Sequence, residues 1–361
     1  MSKSNKTTPS TGSICFSSLL ILVSQWLPIT SLIFGGCCSN VFSLEKVYHE
    51  LPNSSHLITF SQFLFIAVLG YFDNYDNNAG IKRLYLKQNH IPLSRNFINV
   101  LMFFVSSNLN NMALTYNISV PIHIIFRSSS TVITMIIGYL FANKRYNFKQ
   151  IVSALILTFG IILATIGNYL NNKKKTSIDS LIDHDHLKSF YIGVFLLMSS
   201  SIIIAFNGLF TERTYKIYGK YWQESLFYQH FLGLPIFIIF QRQLVEEYKQ
   251  MMYQKETFAF KIPVMFSQDF VQLRISKSLC YLLLNCFTQN VCITGVNKLA
   301  SITNALTVSI VLLIRKFVSL LLSVLIFGNS LHRLCLAGSF FVFTGAGLYS
   351  FATKSSKRSS K

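Results

Sequence analysis

The chain has 361 residues, of which 51% are hydrophobic and only 12% charged, half the ~25% of an ordinary soluble domain. Within that small allotment 32 Lys and Arg stand against 13 Asp and Glu, a formal charge of +19. So apolar a chain excludes disorder, and so few charges exclude the polar basic surface of a nucleic-acid-binding domain, which leaves a polytopic membrane protein.

Eight charge-free stretches and two apolar stretches that contain charges place ten spans, near 14–37, 57–72, 97–115, 121–142, 151–169, 190–210, 225–240, 278–297, 303–327 and 332–352. Each approaches the roughly 20 residues needed to cross a ~30 Å hydrocarbon core. The first follows Lys3 and Lys6. It is too long for a signal-peptide core and no small-x-small cleavage site follows cleanly, so it reads as a retained span. The uncharged run Asn96–Phe126 is shared by the third and fourth spans, with a turn near Tyr116–Pro121.

The expected fold is therefore all-α, ten transmembrane helices in two inverted five-helix repeats. An odd number of spans per repeat inserts the second copy upside down. Phe141-Ala142-Asn143 and Thr158-Phe159-Gly160 recur as Phe327-Gly328-Asn329 and Phe343-Thr344-Gly345, at offsets of 186 and 185 residues. The corresponding division is a tail over 1–13, a first repeat over 14–169 and a linker over 170–189. A second repeat follows over 190–352, containing a loop over 241–277, and a basic tail over 353–361.

With a cytosolic N-terminus, the loops and tails of that face collect 17 Lys and Arg against 12 on the other face. Without the long 241–277 loop the comparison is 17 to 6, so both termini are expected in the cytosol. The seven cysteines lie in or beside spans with no zinc spacing and no disulfide framework, and are expected to be small packing residues. Asp183-His184-Asp185-His186 alternates like a metal clip but lacks further ligands, and no metal or cofactor is expected.

Two spans contain charges: Arg127 in the fourth, and Arg315 with Lys316 in the ninth. Each costs roughly 2.5–3.5 kcal/mol at mid-membrane on insertion scales. Arg127 and Arg315 lie 14 and 12 residues before the related Phe-x-Asn motifs, so they occupy equivalent helices. All thirteen acids fall outside the spans, leaving a positive interior whose simplest partner is an anionic ligand. A guanidinium fork suits phosphate oxygens. Snorkelling or structural pairing is the competing use, above all for Arg127.

The other polar residues of the spans are mainly amides, hydroxyls and aromatics. They include Asn108, Asn110 and Asn111 in the third, Tyr228, Gln229 and His230 in the seventh, and Asn285, Gln289 and Asn290 in the eighth. Asn111, Tyr228, His230, Asn285, Gln289 and Asn290 are candidates for reading a nucleobase or sugar by hydrogen bonds and stacking. Helix–helix hydrogen bonding is their alternative role. Walker A, His-Glu-x-x-His and Gly-x-Ser-x-Gly motifs are missing, and His123 and His230 have no evident carboxylate partner, so an enzyme is not expected.

Several strings carry a family likeness: Gly36-Cys37-Cys38-Ser39-Asn40-Val41, Thr59-Phe60-Ser61-Gln62-Phe63-Leu64-Phe65, Pro121-x-His123-x-Ile125-Phe126-Arg127-Ser128, Phe227-Tyr228-x-His230, Thr288-Gln289-x-Val291-Cys292-Ile293 and Arg315-Lys316-Phe317-Val318-Ser319-Leu320. With these the chain resembles the endomembrane nucleotide-sugar transporters of the drug/metabolite transporter superfamily. The nearest subgroup carries UDP-N-acetylglucosamine and UDP-xylose, and includes fungal endoplasmic-reticulum and Golgi members. The resemblance implies exchange of a cytosolic UDP-sugar for lumenal UMP by alternating access. It implies phosphate binding by Arg127, Arg315 and Lys316, with Lys298 an entrance or gate residue of the same set. Its partners would be UDP-sugar, UMP and the lipid bilayer, with no nucleic acid and with self-association open. Gln229 stands where that subgroup has Asn, and the tail lacks Lys at its third-last position, so endoplasmic reticulum and Golgi both stay open. An exchanger of adenine nucleotides or nucleotide sulfates, or a non-transporting membrane scaffold, are the alternatives.

Overall fold

The computed structural model describes residues 24, 26–51, 54–81, 84–113, 116, 130–173, 184–253, 257–263, 270–326 and 333–359. A π-helical turn, Leu32–Gly36, leads into α1 (Cys37–Glu50), followed by α2 (Ser55–Asp73) and α3 (Leu93–Ala113). Next come α4 (Ser130–Ala142), α5 (Phe148–Lys173) and α6 (His184–Tyr218). Gly219, at φ +100°, turns the chain into α7 (Trp222–Gly233), since a left-handed residue carries little strain only as glycine. Past Gly233, Pro235 cannot donate to a continuing α ladder, and the helix tightens into a 3-10 segment, Leu234–Phe240. Then follow α8 (Gln241–Tyr253), strands β1 (Thr257–Pro263) and β2 (Phe270–Ser276), α9 (Lys277–Ile302), α10 (Ala305–Ile326) and α11 (Arg333–Ser359).

Among the described residues, four helices are long and apolar enough to cross a membrane: Trp26–Tyr48, Ser55–Asp73, Tyr191–Tyr218 and Lys277–Ile302. Ser130–Ala142, Phe148–Leu163 and Leu336–Tyr349 are shorter apolar helices. Two features depart from the sequence reading. The first apolar helix runs on past residue 37 as far as Glu50, because the uncharged stretch Thr7–Leu44 gives no mark of where within it a span sits. The loop 241–277 holds amphipathic α8 and an antiparallel hairpin pairing Thr257 with Ser276 through Pro263 with Phe270, so the chain is not wholly helical.

The helices pack as antiparallel and crossed pairs. α5 lies along α11, α3 along α6, α1 along α9, and α2 along α7; α7 also meets α3, and α9 meets α2. α4 packs on α6 and α10, whereas α10 touches α1 only slightly. Glycines set the closest of these seams. A Cβ on Gly36 would lie 2.8 Å from the Cys292 nitrogen, and one on Gly295 would lie 2.9 Å from Leu32 Cβ. Small residues let helix backbones approach this closely where lipid offers no hydrophobic drive to associate.

That seam also overturns the expectation that all cysteines are separate packing residues. Cys37 and Cys292 are joined by a disulfide across α1 and α9, with Cα atoms 4.5 Å apart. Their separation of 255 residues gives no spacing signal, and only the glycine-lined contact brings them together. Cys38, Cys280 and Cys286 are free thiols.

Candidate functional site

Arg315 and Lys316 lie at the middle of α10 and both are half-buried. Leu306, Ile310, Leu313 and Phe317 form a buried stripe of α10 in one cluster with Met135 of α4 and residues of α5 and α11. At about 100° per residue, Arg315 falls on the opposite face and Lys316 about a quarter turn from the stripe. The Arg315 face also carries Val308 and Val311, packed against Ile29, Ile33 and Cys37, and Ser319, whose Oγ lies 3.2 Å from Cys38 Sγ. Arg315 therefore points inward between α10 and the α1–α9 pair rather than toward lipid. Lys298, half-buried near the end of α9, lies beside Asn297, whose Oδ1 accepts from the Tyr215 hydroxyl at 3.5 Å.

Where α1, α2 and α9 meet, six polar side chains form one network. Gln62 Nε2 donates to Asn285 Oδ1 at 2.6 Å, and Asn285 Nδ2 donates to Asn40 Oδ1 at 2.9 Å and Ser43 Oγ at 3.2 Å. Asn40 Nδ2 then donates to Gln289 Oε1 at 2.7 Å, while the Ser43 and Thr288 hydroxyls are 3.0 Å apart. Asn285 is fully buried with its amide occupied on both sides, the arrangement that pins helices together in a membrane. Gln289 is half-buried and accepts from Asn40 Nδ2 through its side-chain oxygen, which sets the direction of its amide nitrogen. Asn285 and Gln289 share the face toward α1; Asn290 points elsewhere, on the side of Cys286 and Asn297.

The structure separates the two α7 candidates. His230 is buried, its Nδ1 lies 2.8 Å from the Leu226 carbonyl, and its ring packs 4.7 Å from Phe63. Tyr228, about 200° away around the helix, lines a cavity of about 200 Å³ with Lys87, His90 and Glu224. Glu224 accepts from the backbone nitrogens of His90 and Ile91 at 3.0 and 2.8 Å.

Near that end of the bundle, buried Glu212 on α6 ties three elements together. It pairs with Lys144 from the α4–α5 connection and with Lys216 at 2.7 Å, and accepts from the Ala305 nitrogen at 2.7 Å. The last contact supplies an acceptor to an otherwise orphaned donor at the start of α10. Tyr146 packs beside this tie, and burial first, then Glu212, pushes its hydroxyl up to about 12.

Two His–carboxylate pairs also occur among the described residues, His56 with Glu247 at 2.8 Å and His90 with Glu224 at 3.1 Å. The half-buried cations facing a polar helix junction suit solute handling. Residues 25–353 match the UAA transporter family. The chain belongs to that family. Among its UAA relatives, the UDP-N-acetylglucosamine transporter YEA4 of Kluyveromyces lactis is 42% identical, over 90% of this chain and 96% of its own. The protein of the same name from Saccharomyces cerevisiae is 40% identical, over 90% and 93%. The UDP-xylose and UDP-N-acetylglucosamine transporter of Danio rerio is 36% identical, over 88% and 92%. A protein of known crystal structure shares the fold at a TM-score of 0.57 and 10% identity, covering 89% of this chain and 98% of its own.

Some expected positions of this UAA transporter lie outside the described residues: Arg127, His123, Asp183, Phe327-Gly328-Asn329, and the tail and linker residues 1–23 and 174–183. Asn111 is on α3, with nothing described of its side chain. Sequence reasoning passed over Asn40, Gln62 and Glu212. The first two stand inside the strings that carry the family likeness, and polarity in an apolar run was their signal. Glu212 falls just past the end of a span, where a carboxylate passes for an ordinary loop charge.

Proposed function

We propose that the protein is a nucleotide-sugar antiporter of the endoplasmic reticulum or Golgi membrane, with both termini cytosolic. It moves cytosolic UDP-N-acetylglucosamine, with UDP-xylose a second cargo, into the lumen in exchange for UMP by alternating access. The observation that carries this reading is Arg315, a mid-helix guanidinium on the inward face of α10, in a chain whose relatives bear the names of UDP-sugar transporters. Arg315, Lys316 and Arg127 hold the diphosphate, Lys298 guides it at the cytosolic end, and Gln289, Asn290, Asn111 and Tyr228 are the base and sugar contacts. His230 and Asn285 support these from the buried side.

Support for ten spans in two inverted halves comes from which helices pair. Exchanging α1 with α6, α2 with α7, α3 with α9, α4 with α10 and α5 with α11 carries the α3–α6 seam onto α9–α1, and α3–α7 onto α9–α2. It carries α2–α7 and α5–α11 onto themselves. Within α2–α7 the contacts are reciprocal: a Cβ on Gly70 would meet Phe227, and one on Gly233 would meet Phe63. The Phe and Gly offsets are 164 and 163 residues, below the 186 and 185 of the later motifs because the 241–277 loop intervenes. Serine and threonine pairs also match, Ser106 with Ser200 at 3.0 Å in one seam and Ser43 with Thr288 at 3.0 Å in the other.

The pairing that fails to exchange is informative about access. α4 packs along α6 at the Glu212 end, while its counterpart α10 barely touches α1. A symmetric pair closed on one side and parted on the other is what an inverted-repeat carrier presents when it faces one compartment. In the proposed orientation the cytosolic end is shut. Uptake of labelled nucleotide sugars by proteoliposomes tests the cargo: UDP-N-acetylglucosamine should enter and CMP- or GDP-linked sugars should not. Equal entry of all of them, or of none, rejects the assignment.

A further inference from the structure

At the α4–α6 seam lies a cavity of about 430 Å³ whose lining is part apolar and part basic. Phe141, Phe206, Leu209 and Phe210 make an apolar lining, with Phe141 exposed and edge-on to Phe206 at 5.1 Å. Lys144, Arg213 and Lys216 line the same cavity. Phe206, Leu209, Arg213 and Lys216 recur at helical spacing, so they form a single stripe along α6, apolar first and basic last.

The apolar helix Tyr191–Tyr218 has 28 residues, or about 42 Å at 1.5 Å per residue, against a ~30 Å hydrocarbon core. Its last two turns therefore stand at headgroup level, with Phe206 and Leu209 below them among acyl chains. Glu212 offsets one of the three cations and leaves an excess of positive charge. Arg213 and Lys216 are exposed, so both have donors for a further anion. An apolar trough under a basic rim suits an amphiphile with an anionic head, and a soluble anion would leave the trough unfilled.

We propose that this cavity binds an anionic phospholipid of the leaflet on the Lys144 side, its phosphate held by Arg213 and Lys216 and its acyl chain against Phe206 and Leu209. The cavity lies beside the Glu212 tie at the α4–α6 seam, but its test reads lipid binding and not transport, so failure of this inference and failure of the transport assignment are distinguishable. The test uses the purified full-length chain in detergent, with thermal unfolding followed on addition of phosphatidylserine, phosphatidylcholine or inorganic phosphate. Phosphatidylserine should raise Tm by about 4 °C near saturation, and the other two should not. The Arg213→Gln/Lys216→Gln pair should lose that shift, and Arg213→Lys/Lys216→Arg should keep it. An equal shift from phosphatidylcholine, one from inorganic phosphate alone, or an undiminished shift in the neutral pair overturns the proposal. If the neutral pair fails to fold, a photoreactive phosphatidylserine on the unmodified chain decides. Label mapping to 206–216 supports the site; label elsewhere, or equal label from phosphatidylcholine, overturns it.

Discussion

Gly160 on α5 and Gly345 on α11 stand on the two sides of one seam, each facing the backbone of the other's helix. A methyl on Gly160 would lie 2.7 Å from the Val342 nitrogen and 2.8 Å from the Gly338 oxygen. One on Gly345 would lie 2.8 Å from the Leu157 nitrogen and 2.9 Å from the Ser153 oxygen. These are the glycines of the Thr158-Phe159-Gly160 and Phe343-Thr344-Gly345 strings, and the close backbone approach explains a glycine at each. Because backbone rather than flexible side chains must yield, Gly160→Ala or Gly345→Ala should each cost ~1–3 kcal/mol, measured as a lowered Tm in detergent. Gly347→Ala is the control, since that position faces open space, and it should leave Tm unchanged or slightly raised.

Tyr146 offers a prediction of opposite sign. Its hydroxyl is buried with no hydrogen-bond partner among the described residues, and it fills the space beside Gly138. Tyr146→Phe should therefore stabilise the protein or leave it unchanged, whereas Gly138→Ala should destabilise it. The raised pKa sets the pH dependence. The unfolded chain releases this proton near 10 and the folded chain holds it to about 12, so stability attributable to Tyr146 is full below 10 and falls from 10 to 12. The difference in stability between the parent and Tyr146→Phe proteins should be constant from pH 6 to 9 and change only from 10 to 12; a difference that varies over pH 6–8 would show another cause.

Glu212 is the contact whose loss should change conformation as well as stability. Glu212→Gln keeps the size but weakens both lysine pairs, and a cost of ~2–4 kcal/mol is expected for disturbing a buried, cation-paired carboxylate. If this tie shuts the cytosolic end, a cysteine introduced as Asn304→Cys should be labelled faster by a membrane-impermeant maleimide in the Glu212→Gln background. Unchanged labelling with a lowered Tm would make Glu212 a structural staple only.

The Cys37–Cys292 bond can be read directly. Cleavage within 254–269, between the two cysteines, yields two fragments. They should migrate together without reductant and apart with it. Separation in both conditions would mean the thiols are free in the protein.

How much of this was legible in the sequence depends on the range of the interaction. The apolar runs placed α2 to within two residues at each end and the start of α9 to within one, because burial in lipid is written locally as missing charge. At its other end α9 runs on to Ile302, five residues past 297. Arg315 was legible for the same reason, as a cation that breaks such a run. Its inward aim was not, since that depends on Phe317 and Leu313 packing in one cluster with residues of α4, α5 and α11. Asn285 and His230 look alike in sequence to ligand-reading residues, yet their partners, Asn40 and Gln62 for one and Phe63 for the other, are far away in the chain. The hairpin 257–276 escaped notice inside a loop read only for charge. Glu212, Lys144 and Ala305 come from three separate segments, and no periodicity joins them.

The most direct test of the whole account is counter-exchange. Proteoliposomes holding UMP, AMP, GMP or buffer alone are given labelled UDP-N-acetylglucosamine, with Arg315→Ala protein reconstituted in parallel. The account predicts uptake strongly stimulated by trapped UMP, little by the other two, and none with Arg315→Ala at equal protein incorporation. Uptake that is indifferent to the trapped nucleotide, or that survives loss of the Arg315 guanidinium, would contradict it.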